Sequence, residues 1–459
     1  MPEEATRRER DALGEIEVPA DALWGASTQR AVENFPISGE RLPREFLGAL
    51  AQIKRAAALA NRELGVVDAD RSSWIEQAAA EVESGALDAH FPVDVFQTGS
   101  GTSTNMNANE VIARRAEDLR GNAEPRIHPN DHVNASQSSN DVIPTALHVA
   151  ARESVHATLL PAFEHLSEAF RAKQRTVGSA IKLGRTHGMD ATPVRVGDEL
   201  GAWASQLESA ARRVREAADG LGPVALGGTA VGNGLNCPAG FAERVCEQLS
   251  DWNGRRYERA SDPFAAQGAQ DAAVHLSSAL RGAATASFKI ASDVRLLAAG
   301  PRGGIAELRL PAIQPGSSIM PGKVNPVLCE SVLQVSAQVV GHDAAIGVAG
   351  LSGQLELNTF LPLVARNLLE SIRLLSQVSV VFADRCVAGL EVDVERARGW
   401  AEQSTALATA LVPRIGYDRA AELAKTAFAS GRTVREVALE SGVLPEEELD
   451  ALLDLERFV

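Results

Sequence analysis

Residues 147–170 read Leu-His-Val-Ala-Ala-Arg-Glu-Ser-Val-His-Ala-Thr-Leu-Leu-Pro-Ala-Phe-Glu-His-Leu-Ser-Glu-Ala-Phe. Leu147, Ala151, Val155, Leu159, Phe163, Leu166 and Phe170 recur there at helical spacing and trace one apolar stripe. Leu276, Leu280, Ala284, Phe288, Ala291 and Val294 trace a second. Alanine is abundant, aromatic residues are only 4% of the chain, and clear alternating strands are hard to find. This pattern predicts a mostly α protein whose middle is a bundle of long helices. Val332-Leu333 with Val335, and Val339-Val340, make one helix apolar on more than one side, which implies burial on several sides, either within one subunit or between subunits.

Length and composition bound the function. At 459 residues the chain exceeds the usual single-domain size, and the prior is about three domains. Breakers and motif positions place the boundaries at 1–137, 138–358 and 359–459. The last part carries no catalytic signal; its segment Arg432–Val437 and the acidic ending from Pro445 read as short surface helices. Lys plus Arg number 45 against 60 Asp plus Glu, a formal charge of −15 that disfavours nucleic acid and anionic membranes as partners. Cys237, Cys246, Cys329 and Cys386 show no Cys-x-x-Cys spacing, so neither a disulfide framework nor a zinc site is indicated. The N-terminal MPEEATRRERDALG lacks an apolar h-region, and no run of about 18 apolar residues occurs. The expectation is a cytoplasmic protein without a metal or cofactor.

The chemistry concentrates in Gly316-Ser317-Ser318-Ile319-Met320-Pro321-Gly322-Lys323-Val324-Asn325-Pro326. Glycines and prolines punctuate this loop, and Asn325-Pro326 reads as an N-cap followed by proline at the first helical position. Two hydroxyls and one ammonium before a helix N-terminus suit an anionic substrate and removal of a proton beside a carboxylate. A plain surface turn has the same composition, so the loop alone decides nothing. Ser138-Ser139-Asn140-Asp141 and Ser100–Thr104 each precede an apolar-periodic run and read as helix starts, where free N–H groups bind anions. Simple capping is the plainer account of each cluster taken singly.

Nine histidines are present and most are bystanders. His187 stands out by its loop-like setting after Arg185-Thr186. His128 and His132 are four apart, but Pro129 and Asn130 are expected to break the helix that would align them, so no metal site is read there. Gly227-Gly228-Thr229-Ala230-Val231-Gly232-Asn233-Gly234 lacks the Gly-Lys-Ser/Thr ending and the dinucleotide spacing, and no strand is expected before it; it reads as a tight turn between helices.

GSSIMPGKVNP resembles the signature loop of the fumarase/aspartase superfamily, in its class II fumarase form. Three more segments resemble the family's active-site stretches, in the family's order: Gly99–Thr102 leading to Asn105-Met106-Asn107, His128 through Asn140-Asp141, and Gly184-Arg185-Thr186-His187. The likeness runs from Leu13-Gly14 to near the C-terminus. It implies a three-domain, mostly α fold and a homotetramer whose active sites combine segments of three subunits. It also implies reversible hydration of fumarate to L-malate, with Ser317 as general base, His187 on the acid side and Glu330 orienting that arrangement. Ser100, Thr102, Ser138, Ser139, Asn140, Thr186, Ser318, Lys323 and Asn325 match positions that hold the substrate carboxylates. His128, Pro129, Asn130 and Asp131 match a second dicarboxylate segment near the entrance.

The nearest rival is aspartate ammonia-lyase, which shares the fold and the elimination. His187 and Gly322 read against it, since glutamine and alanine are usual there, whereas Thr102-Ser103-Thr104 also occurs in aspartases. Gly188-Met189 and Asn233 depart from the fumarase pattern, where leucine and threonine are usual. A helical structural or interaction protein that kept the fold and lost catalysis is the reading from another class; intact Ser317, His187, Lys323 and Glu330 speak against it.

Overall fold

A computed structural model describes residues 5–121 and 126–459. It is mostly helical, with short two-stranded sheets only. The chain separates into two compact units: Met1–Pro161, Arg212–Ala284 and Ala337–Ser376 form one, and Ala162–Ala211, Thr285–Ser336 and Gln377–Val459 the other. Among the described residues, no helix is long and apolar enough to cross a membrane.

The first unit opens with an antiparallel hairpin, Thr6–Asp11 against Gly14–Pro19, tied down where Arg30 Nε meets Asp11 Oδ2 at 2.8 Å. Its side chains alternate between exposed and partly covered, a strand pattern the sequence hides because the residues are mostly charged. The Arg44–Glu63 helix follows, burying Phe46, Leu50, Ile53 and Ala57. The Ala69–Ser84 helix packs against it with Ile75, Ala78, Ala79 and Val82 inward. Asp68 caps that helix by accepting the Arg71 N–H, and Gly85 at φ 90° ends it in the left-handed conformation glycine adopts cheaply. The helices Thr102–Arg120 and Ser139–Ser154 complete the core with Val111, Ile112, Val142, Ile143 and Leu147. Each large apolar side chain buried here contributes about 1.5–3 kcal/mol.

All seven residues of the opening stripe are buried. Their four-residue steps overshoot a helical turn by about 40° each. A π turn at Val155–Leu159, between the Ser139–Ser154 and Leu160–Val177 helices, takes up part of that drift just before Pro161, whose ring cannot supply a helical N–H. In the second stripe Phe288 is the exception: it is 45% exposed while Leu276, Leu280, Ala284, Ala291 and Val294 are buried.

The second unit is built on helices closing around one core. Leu166 and Phe170, then Leu200, Trp203 and Leu207, then Ile290 and Val294, with Cys329, Val332 and Phe382, belong to five different helices. Phe170 lies edge-on to Trp203 at 5.5 Å between centroids. A separate cluster gathers the small C-terminal helices, among them Val434–Glu440 with its Thr433 capping box and Glu446–Leu453, around Leu407, Leu411, Leu423, Val434 and Leu449. These helices carry buried residues and are not merely surface ones. Ile181 and Leu183 belong to the same cluster, so the tail supports the strand that leads to His187.

Candidate active site

In the first unit two helix N-termini meet. Gly101 adopts φ 73° before the Thr102–Arg120 helix, and no side chain caps that end. A β-carbon at Gly101 would lie 2.8 Å from Ile143 of the Ser139–Ser154 helix, so glycine allows the close approach. Ser100 Oγ and Thr102 Oγ1 are 2.9 Å apart. Asn105, one turn further on, donates to Ser139 Oγ at 3.0 Å. Ser138 caps the second helix with Asp141 in a capping box, and Asn140 Nδ2 donates to the Ala230 carbonyl at 2.9 Å. The structure thus brings Ser100, Thr102, Ser138, Ser139 and Asn140 into one neighbourhood. Capping and binding are not exclusive there, since Ser139 lies beyond the cap.

A residue that sequence reasoning passed over, Lys54, sits beneath this neighbourhood together with Asp141 of the motif. Lys54 is fully buried, and its Nζ donates to Asn134 Oδ1 and Gln137 Oε1, both at 3.0 Å. Burial pulls its ammonium down to about 7, against the attraction of Asp141. Asp141 accepts N–H groups from Ser138, Gly227 and Thr229 at 2.9–3.0 Å, yet burial pushes its carboxyl up to about 6. The glycine-rich segment 227–234 is therefore more than a turn between helices: it wraps the Asp141 carboxylate. A two-residue strand, Pro223–Val224, does precede it, pairing in parallel with Glu258–Arg259.

The signature loop lies in the second unit and is closed at its base. Gly316 N–H donates to the Lys323 carbonyl at 2.8 Å, and Asn325 Nδ2 donates to the Gly316 carbonyl at 2.7 Å. A β-carbon at Gly316 would fall 2.5 Å from the Lys323 carbonyl oxygen, and Gly322 turns the loop at φ 81°. Asn325 is thus a loop clasp and not a helix cap, and the helix runs Val327–Leu351 with Pro326 just outside it. Ser317 Oγ accepts the N–H groups of Ile319 and Met320 at 3.2 and 3.0 Å. Ser318 and Lys323 are exposed, and Glu330 stands in the first turn of the helix.

Thr186 and His187 sit at the tip of an antiparallel hairpin, Ile181–Thr186 against Met189–Arg195. Its two-residue turn is His187-Gly188, with φ 57° and 74°, the left-handed pair a twisted hairpin prefers. Gly188 therefore has a structural reason to be glycine. The hairpin is anchored by charge: buried Lys182 meets Glu199 at 2.9 Å and Glu307 at 3.4 Å, and Arg185 Nη2 meets Glu307 at 2.7 Å. Among the described residues no hydrogen bond joins His187 to the 316–330 segment.

The segment after His128 does coil, contrary to the expectation that Pro129 and Asn130 would break it. It forms a π turn over Pro129–Val133, in which His128 N–H donates to His132 Nδ1 at 2.7 Å. His128 Nδ1 in turn accepts from Asn130 and Asp131 at 3.3 and 3.2 Å. Among the described residues no three His, Cys, Asp or Glu side chains come together as a cation site.

A family model described as Lyase matches residues 14–341, and one described as Fumarase C C-terminus matches residues 407–459. A class II fumarate hydratase of Thermosynechococcus vestitus is 50% identical over 454 residues, spanning 98% of this chain and 97% of that one. One from Pseudomonas aeruginosa is 51% identical over 450 residues, 97% of each chain. The crystal structure of a class II fumarase from Schistosoma mansoni superposes with a TM-score of 0.96 at 39% identity over 98% of both chains. That of a fumarate lyase:delta crystallin from Brucella melitensis bound to cobalt gives 0.94 at 47% identity over 99% of both. With likeness of this degree along almost its whole length, the chain belongs to the class II fumarase family.

Proposed function

We propose that this chain is a fumarate hydratase, interconverting L-malate and fumarate by elimination and addition of water. The observation that carries the reading is the pair of N–H groups aimed at Ser317 Oγ. Such donors bind an oxyanion about twice as strongly as a neutral hydroxyl, which favours Ser317 as the base. In the dehydrating direction Ser317 takes the proton from the carbon beside one carboxylate, and negative charge spreads into that carboxylate. The donors Ser100, Thr102, Ser138, Ser139, Asn140, Thr186, Ser318, Lys323 and Asn325 hold the two carboxylates and stabilise that charge. The C–O bond then breaks, His187 assists the hydroxyl to leave as water, directly or through a bound water, and Glu330 orients His187.

The residues fall into three sets, one on the first unit and two on the second, the His187 hairpin and the signature loop, and the reading completes the site from three subunits of a homotetramer. Its support is the exposed apolar side of the Val327–Leu351 helix, where Val340, Val348 and Leu351 are 45%, 60% and 87% exposed. The same reading divides the chain at about residues 137 and 358, and places it in the cytoplasm and the tricarboxylic acid cycle without a cofactor. His128, Pro129, Asn130 and Asp131 form the second dicarboxylate segment. There the His128 ring already occupies the free N–H groups of the π turn, so a ligand has to displace it.

Release of ammonia from aspartate is the alternative, since aspartases share the fold and the elimination and the Thr102-Ser103-Thr104 stretch occurs in them; here Ser103 Oγ lies 2.9 Å from Thr98 Oγ1. The names of the relatives favour water. Absorbance of the fumarate double bond, followed with L-malate in one cuvette and L-aspartate in another, decides. A rise with malate alone supports the hydratase; a rise with aspartate alone moves the chain to the ammonia-lyases, and silence in both favours a different substrate or a non-catalytic role.

A further inference from the structure

We infer that Lys54 is a positioning residue for substrate binding: it fixes the direction of a buried hydrogen-bond chain, Lys54–Asn134–Asn105–Ser139, so that the Ser139 hydroxyl is presented as a donor to a carboxylate. The inference rests on the reading that Ser139 holds a substrate carboxylate.

Each link follows from donor and acceptor inventory. While it carries its proton Lys54 has three donors and no acceptor, so the two atoms 3.0 Å from its Nζ are then oxygens, Asn134 Oδ1 and Gln137 Oε1. That fixes both amides. Asn134 Oδ1 then also accepts from Asn105 Nδ2 at 3.1 Å and Asn109 Nδ2 at 3.2 Å. Turning Asn105 over would set its oxygen against the Asn134 oxygen, so its NH2 group stays toward both Asn134 and Ser139. Ser139 Oγ accepts that NH2 at 3.0 Å. Its own proton has no protein acceptor among the described residues and is left to donate to an anion.

Lys54, Asn105 and Ser139 are 0%, 1% and 9% exposed, so water competes little along the chain. Chains of hydrogen bonds polarise one another in such surroundings, and a charge at one end strengthens the donor at the other. Asn134 and Gln137 are themselves held: Asn134 Nδ2 donates to the Gln137 carbonyl at 3.2 Å, and Gln137 Nε2 donates to the carbonyls of Val133 and Ala135 at 3.1 and 3.0 Å.

The test is a cycle of Lys54→Met, Ser139→Ala and the double variant, read as KM and kcat for L-malate with thermal midpoint alongside. Loss of one charge-assisted hydrogen bond is expected to raise KM about tenfold in each single variant. The double variant should be no worse than Ser139→Ala. Additive effects, or a normal KM with only a lowered midpoint in Lys54→Met, overturn the inference and leave Lys54 a structural residue. An unchanged KM in Ser139→Ala overturns the carboxylate reading itself, and the inference with it. Should Lys54→Met fail to fold, Asn105→Ala cuts the chain while leaving both oxygens bonded to Lys54. It must show the same rise in KM and the same lack of additivity with Ser139→Ala, and a normal KM there also overturns the inference.

Discussion

Asn325 reaches nine residues back to Gly316, donating its side-chain amide to the Gly316 carbonyl at 2.7 Å, and with the Gly316 N–H to Lys323 carbonyl bond at 2.8 Å it closes the base of the signature loop. Asn325→Ala should lower kcat/KM for L-malate by about 10²-fold, the usual consequence of displacing reacting groups by an ångström. The thermal midpoint should barely move, because the loop is largely exposed. Undiminished kcat/KM would mean that closure of the loop is irrelevant to turnover.

Ser317→Ala removes the oxygen to which Ile319 and Met320 donate. Nearly all turnover should disappear while the helical content and the assembly seen by light scattering stay those of the parent. Near-normal activity would overturn the assignment of the base.

Glu307 is 1% exposed and shared between Lys182 and Arg185. Breaking a buried pair by removing one partner strands the other charges, so Glu307→Leu should destabilise by about 3–5 kcal/mol in a urea titration. A loss under about 1 kcal/mol would show that Glu199 alone satisfies Lys182.

His148 is buried, with Nδ1 3.1 Å from the Pro223 carbonyl. Burial holds its imidazole down at about 4, against the carbonyls of Pro223 and Leu221, from an ordinary 6.5. Between those values the unfolded chain binds the proton and the folded one does not. Stability from this residue is therefore intact above about 6.5 and lost as pH falls toward 4, at up to about 1.4 kcal/mol per pH unit. His148→Gln should flatten that part of a pH–stability curve; an unchanged slope would assign the acid sensitivity elsewhere.

The helices were legible because many residues vote on one period: seven stripe residues from Leu147 to Phe170 are all buried. Phe288 misled because periodicity reports a face and not what covers it. The hairpins were hidden for the opposite reason. Thr6–Asp11 is held by ion pairs rather than apolar alternation, and the strands beside His187 are short. In the candidate site, the motif serines and His187 could be picked out as residue types at the ends of elements, which is where the fold puts them. Lys54 could not be, since it lies in an alanine-rich helix 80 residues from the Asn134 oxygen it holds, and only the fold brings them together.

His187→Asn should lower kcat by roughly 10²–10⁴-fold if the imidazole assists departure of water. A rise in KM with kcat unchanged would make His187 a binding residue instead.

The turn that carries this imidazole asks for something else. A left-handed φ of 57° is strained for histidine, and Asn-Gly is the pair such a hairpin favours most. His187→Asn should therefore tighten the hairpin and raise the thermal midpoint, whatever it does to turnover. If the proposed acid-side role holds, position 187 is a place where folding and catalysis want different side chains, and the stability gained by His187→Asn measures what the hairpin gives up.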